Sequence, residues 1–209
     1  MGLVSLLLNE PIVFLALFVP LMYSVIAHET AHGLAAYLFG DDTAKNAGRL
    51  TVNPLAHFDL VGTLMLFFVG FGWAKPVPVN YGNLRNPRAG LICVSLAGCL
   101  TNIIIAVIAL FIVRSMNLVT DRPFAATLLV IARINITLGA FNLIPIPPLD
   151  GSKVLMGFLP RSAQLRFASL ERIGIPLLLF LLVFTDLLTP AIMFIEKAIW
   201  VLIGSLLNI

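Results

Sequence analysis

A chain of 209 residues that is 60% hydrophobic and only 11% charged, with a mean hydropathy of +1.04, is not a soluble domain. Soluble domains carry about 45–50% apolar and about 25% charged residues. The composition predicts an all-α membrane protein, a polytopic helical bundle of about five to six transmembrane helices in a single domain over 1–209. A net charge of +3 excludes nucleic acid as a partner and makes the basic residues reporters of orientation in the lipid bilayer.

The opening stretch Met1-Gly2-Leu3-Val4-Ser5 holds no basic group, so no cleaved leader is expected. Residues 11–39 form the first expected span. Pro11 suits a first helical position, and Gly40 with Asp41 and Asp42 supplies the stop. The run is longer than the roughly twenty residues a span needs. Its C-terminal half contains His28-Glu29-Thr30-Ala31-His32. Positions i and i+4 share a helix face, so both imidazoles point one way, at the spacing from which one helix supplies two ligands to zinc. Glu29 then stands beside the metal, placed to act as a base on the attacking water. The same pattern arises by chance in helices. Here, however, the three ionisable groups lie in a segment otherwise free of charge, and ionisable groups at membrane depth default to function.

Residues 43–57 read as a polar, turn-rich loop. Residues 60–74 are apolar but short for a span and interrupted by Gly62, Gly70 and Gly72. Lys75-Pro76-Val77-Pro78-Val79 cannot be helix. Residues 89–113 form a clear span whose Ser95, Gly98, Thr101 and Asn102 suit close helix packing. Cys93 and Cys99 lie on different faces of it, so no disulfide is expected between them. Residues 124–144 form the next span, with Arg133, Asn135 and Asn142 inside it. Arg133 has two fates open, a carboxylate partner such as Asp186 or a path to the interface. Pro145-Ile146-Pro147-Pro148 stops that span and Leu149-Asp150-Gly151 follows. A short basic amphipathic stretch reaches about Arg172, and residues 173–207 close the chain as a helical hairpin turning at Thr189-Pro190.

A catalytic zinc takes three protein ligands and keeps one position open. Asp150 and His57 are the serious candidates for the third, with Asp59 and Asp186 behind them. Topology decides whether Asp150 can serve. If residues 60–74 crossed the membrane, Asp150 would emerge on the side away from the histidines. If they dip in and return, Asp150 reaches the histidine side. The second path also gathers Lys45, Arg49, Lys75, Arg85, Arg88 and the basic residues from Lys153 to Arg172 on one side, leaving Arg114 and Arg122 on the other. Basic residues concentrate in cytoplasmic loops. The expected topology therefore has the N-terminus outside and the zinc nearer the cytoplasmic face.

Taken together, His28-Glu29-Thr30-Ala31-His32, Gly48-Arg49-Leu50-Thr51-Val52-Asn53-Pro54, Ser95-Leu96-Ala97-Gly98 and Phe141-Asn142-Leu143-Ile144-Pro145-Ile146-Pro147-Pro148-Leu149-Asp150-Gly151 resemble the site-2 protease family of intramembrane zinc metalloproteases, in particular its compact prokaryotic members without a PDZ domain. The resemblance implies a catalytic core over about 11–159. It implies one zinc per chain held by His28, His32 and Asp150, with Glu29 as base and Asn142 facing the active site to bind substrate backbone or the oxyanion. It also implies that a re-entrant β-hairpin-like segment around 58–80 pairs with an unwound substrate. The implied activity is hydrolysis of peptide bonds within or near transmembrane segments of membrane proteins, as in regulated intramembrane proteolysis. One departure is Cys99, where many members carry proline, a position of packing rather than chemistry. The alternative reading is a zinc-binding membrane transporter, but such proteins usually show internal repeats and more intramembrane carboxylates, and Glu29 would lack a role. His57 stays open between the site and an ordinary loop hydrogen bond.

Overall fold

The computed structural model describes residues 3–70, 72–118 and 123–208. Helices α1 (Leu3–Asn9) and α2 (Pro11–Leu38) open the chain. Single turns α3 (Thr43–Asn46) and α4 (Pro54–His57) punctuate the polar loop, and α5 (Leu60–Val69) follows. The long helices α6 (Pro87–Ser115) and α7 (Pro123–Asn142) come next. Then come α8 (Asp150–Phe158), α9 (Arg161–Leu170), α10 (Gly174–Phe184) and α11 (Leu188–Leu207). Five helical segments among the described residues are long and apolar enough to cross a membrane: α2, α6, α7, the run from Arg161 to Phe184, and α11. No strand occurs among the described residues. Arg122, expected with Arg114 on the far side, lies outside them.

Backbone chemistry sets the helix ends. Pro11 and Pro87 occupy first-turn positions, where a missing N–H costs nothing. Asn86 caps α6 by accepting from Ala89 N at 3.3 Å. Helix α6 is central and packs against both α2 and α7. Small residues make that close approach possible: Ala106 and Ala109 of α6 meet Ala132, Ile136 and Ala140 of α7, and Ile199 and Ile203 of α11 complete the cluster. Arg133 pairs with Glu196 of α11 at 3.3 Å, and Thr137 Oγ1 donates to the same carboxylate at 2.6 Å. The partner of Arg133 is thus a buried glutamate, not Asp186. The turn before α11 covers residues 185–187 rather than Thr189-Pro190, because a proline in the first turn of a helix breaks no internal hydrogen bond.

Residues 58–80 leave and return at one place, since Lys75 N donates to His57 O at 2.9 Å. The outward limb is helix α5, capped by Asp59, which accepts from Gly62 N at 2.7 Å, and ended by Gly70 at φ +82°. The return limb is non-helical and presses so closely on α5 that a Cβ on Gly62 would stand 2.1 Å from Trp73 O. The expected doubling back is present, but a helix and an irregular return replace paired strands. An apolar run away from water satisfies its own backbone best as helix, and Pro76 and Pro78 have no N–H to donate to a ladder.

The return limb ends in polar anchors. Asp41, fully buried after α2, accepts from Asn80 N at 2.7 Å and from Asn83 Nδ2 at 2.8 Å, and Arg85 N donates to Phe39 O at 3.0 Å. Burial alone would raise the Asp41 pKa, but donors from Thr43, Asn80 and Asn83 hold it below the usual carboxylate value.

Candidate active site

His28 and His32 lie one turn apart on α2, both buried. Asp150 is the first residue of α8, where the helix N-terminus favours a carboxylate. The tight turn over residues 143–149 carries it there, with Leu149 N donating to Ile146 O at 2.9 Å. Gly151 completes the placement, because a Cβ there would stand 2.2 Å from Leu143 O; only glycine lets α8 start so close to the end of α7. Asp150 Oδ2 lies 3.0 Å from His28 Nε2 and 3.0 Å from His32 Nε2, and the two Nε2 atoms are 3.0 Å apart.

The opposite edge of each ring is engaged. His28 Nδ1 donates to Asn102 Oδ1 at 2.6 Å, and His32 Nδ1 donates to Val94 O at 2.7 Å. With Nδ1 protonated on both rings, two Nε2 lone pairs and a carboxylate oxygen converge. Three acceptors at this spacing repel unless a proton or a metal ion stands among them. Tetrahedral ligands about 2.0–2.1 Å from zinc stand about 3.3 Å apart, close to the spacing seen. Room for an ion comes from Gly98, where a Cβ would lie 2.6 Å from Nε2 of each histidine. Among the described residues, His28, His32 and Asp150 are the group of His, Cys, Asp or Glu side chains able to hold a metal. Donor set, tautomers and space all fit zinc.

Glu29 follows His28 on α2, and its Oε2 accepts from Val77 N of the return limb at 2.8 Å. Arg49 holds the same limb through Lys75 O at 2.7 Å. His57 is buried but not a member of the cluster, with Nε2 donating to Thr51 O at 2.9 Å. Asp59 is occupied as the α5 cap. Asn142, in the last turn of α7, donates Nδ2 to Leu138 O at 3.0 Å.

Two features escaped sequence reasoning. Asn102 read as a packing residue and Asn135 only as a polar group inside a span, yet both are completely buried and linked to His28. Asparagines in mid-span were the available signal. Lys153 read only as one charge of a basic stretch. It lies one turn after Asp150 on α8. Burial would lower its pKa, but Tyr81 and the carboxylates of Asp150, Glu171 and Glu29 raise it and keep the ammonium charged beside the site.

A bundle of apolar helices with the two histidines of this cluster on its first long helix and the aspartate at the start of α8 defines a multi-pass membrane metalloprotease, and comparison with known proteins gives the same class. The model of Peptidase family M50 matches residues 116–185. The chain is 38% identical over 174 residues to the Bacillus subtilis (strain 168) protein named "Putative zinc metalloprotease YwhC", covering 80% of each chain. It is 26% identical over 202 residues to "Zinc metalloprotease MJ0392" of Methanocaldococcus jannaschii, covering 95% of this chain and 51% of that one. No solved structure matches it. The chain belongs to Peptidase family M50, the site-2 protease family, and its metal is zinc.

Proposed function

We propose that the chain is an intramembrane protease that holds one zinc ion through His28, His32 and Asp150 and cuts peptide bonds within or near transmembrane segments of membrane proteins, the chemistry of regulated intramembrane proteolysis. The observation that carries this reading is the convergence of His28 Nε2, His32 Nε2 and Asp150 Oδ2 at 3.0 Å, with both Nδ1 atoms already committed. Zinc, when bound there, polarises the scissile carbonyl and acidifies a water. Glu29 takes the proton from that attacking water and delivers it to the leaving amine. Its bond from Val77 N ties the carboxylate to the return limb, one residue after His28. Asn142 is assigned to the substrate: turning off Leu138 O would release an amide donor for the substrate backbone or the developing oxyanion. A helical substrate must unwind before its carbonyl is reachable, because its own hydrogen bonds shield it. The concentration of basic residues around the end of α2 supports an orientation with the N-terminus outside and the zinc nearer the cytoplasm.

The test is a cleavage assay in detergent or vesicles on a panel of single-span proteins, comparing wild type with Glu29→Gln. Cleavage should fall by roughly 10²–10⁴-fold, the contribution of general acid–base catalysis. Zinc content should stay at the wild-type level, since Glu29 is not a ligand. Cleavage of a verified substrate by Glu29→Gln at the wild-type rate would overturn the mechanism and move zinc uptake into vesicles to the next assay.

A further inference from the structure

We propose that Asn135 and Ser24, neither of which touches the metal cluster, act through Asn102 to fix His28 as the tautomer whose Nε2 lone pair faces the metal. They are positioning residues, and the proposal rests on the reading of His28 as a metal ligand.

The polarity of the relay starts from backbone carbonyls, which only accept. Asn135 places one end of its amide 2.9 Å from Ile131 O and 2.8 Å from Ser24 Oγ. A carbonyl on one side demands that this end be Nδ2. The other end, Oδ1, therefore faces Asn102, where the atom 2.8 Å away must be the Nδ2 donor. The Asn102 Nδ2 also faces Ser24 O at 3.4 Å, a second group that only accepts. Asn102 is thereby left with Oδ1 toward His28 Nδ1 at 2.6 Å, and that ring nitrogen must carry the proton. In the neutral ring Nε2 is then a bare lone pair.

The relay spans three helices. Ser24 lies one turn before His28 on α2, Asn102 one turn after Gly98 on α6, and Asn135 on α7. Asn102 and Asn135 are 0% exposed, so water does not reach them to replace a missing partner, and Ser24 is 4% exposed. Turning either amide over would set nitrogen against nitrogen or oxygen against a carbonyl. His28 is thus held in its ligand form before any ion arrives. His32 gets the same service from one backbone carbonyl, Val94 O, and needs no relay. A purely packing role for the asparagines would leave the tautomer to the solvent and the metal.

The experiment uses the full chain in detergent with two readouts: zinc affinity by competition with a chelator, and ¹⁵N chemical shifts of labelled histidine in the metal-free protein at a pH where the ring is neutral. Asn102→Leu should weaken zinc by about 10–100-fold, as loss of an outer partner of a ligating histidine does. Asn135→Leu should weaken it less and give a mixed His28 tautomer. The double variant should equal Asn102→Leu alone, because Asn135 acts only through Asn102. Asn135→Asp keeps the acceptor that orients Asn102, so zinc affinity should return to near wild type although the fold loses stability against Ile131 O. Ser24→Ala is the mildest change and should shift the tautomer only slightly. Additive losses in the two single variants, or an unchanged His28 tautomer in a folded Asn135→Leu, would overturn the relay. If wild type bound no zinc but kept the Nδ1–H form of His28, losing it in Asn135→Leu, the relay would stand and the metal reading would fall.

Discussion

Replacing Gly98 by alanine adds one methyl, and the space that methyl needs lies in front of both histidine Nε2 atoms, 2.6 Å from each. Real Cβ atoms do not approach so closely, and α6 cannot retreat without losing its packing on α2 and α7. Gly98→Ala should therefore push the two imidazoles aside, reduce zinc content to a small fraction of wild type and lower the melting temperature of the apo protein, checked by metal analysis beside a thermal melt. Zinc retained at the wild-type level would mean that the ion sits elsewhere. A residue with no functional group can belong to a metal centre in this way, and nothing in its side chain advertises it. The H-E-x-x-H pair was legible because its chemistry and its helical spacing coincide. Asp150 was legible once the path of residues 58–80 was reasoned through. Asn102 and Asn135 were not, since a polar residue in a span announces that it has a partner without naming it.

The return limb of the 58–80 segment shows how an element without regular structure is held. Arg49 takes Lys75 O, Glu29 takes Val77 N, and Asp41 takes Asn80 N, three side chains from α2 and the loop after it. Asp41 lies outside the metal cluster and gathers donors from Thr43, Asn80 and Asn83, so it is the place to break the clasp without touching the site. Asp41→Ala removes a buried acceptor of charge-assisted hydrogen bonds and should cost about 2–3 kcal/mol, read by thermal or denaturant unfolding in detergent. The pH dependence follows from the lowered pKa. Asp41 binds its proton less readily in the folded than in the unfolded chain. Its stabilisation is complete above the unfolded carboxylate value of about 3.9 and is lost as pH falls through the lower folded value. Wild type should thus lose more stability on acidification below about pH 4 than Asp41→Asn, and equal slopes would count against the clasp. The family resemblance implied β-like pairing here, and a short apolar run with glycines has no period of its own to tell helix from strand. Length and membrane burial decided for helix in the outward limb, and the two prolines decided against a ladder in the return.

For the whole molecule, long spans were easy to read because a bilayer demands uninterrupted apolar runs, while the partners across the bundle were not, as Glu196 meeting Arg133 illustrates. The arrangement of loops makes a topological prediction. Arg85 N on Phe39 O and Asn80 N on Asp41 tie the loop over residues 75–88 to the end of α2. Tyr81 of that loop lies beside Lys153 of α8, close enough for each to shift the other's protonation. Arg114 bonds Asn208 O at the opposite end of α6, far along the chain from both. The loop over 75–88 and the stretch around Lys153 must therefore share one face of the membrane, and Arg114 the other. Single cysteines placed at Arg85, Lys153 and Arg114, on a background with Cys93 and Cys99 replaced, can be probed in intact cells with an impermeant thiol reagent. The expected result is protection at Arg85 and Lys153 and labelling at Arg114, which gives a cytoplasmic metal site. The reverse pattern would keep the bundle and invert it. Opposite labelling of Arg85 and Lys153 would mean that residues 58–80 cross the membrane, and Asp150 would then be on the wrong side to meet His28 and His32.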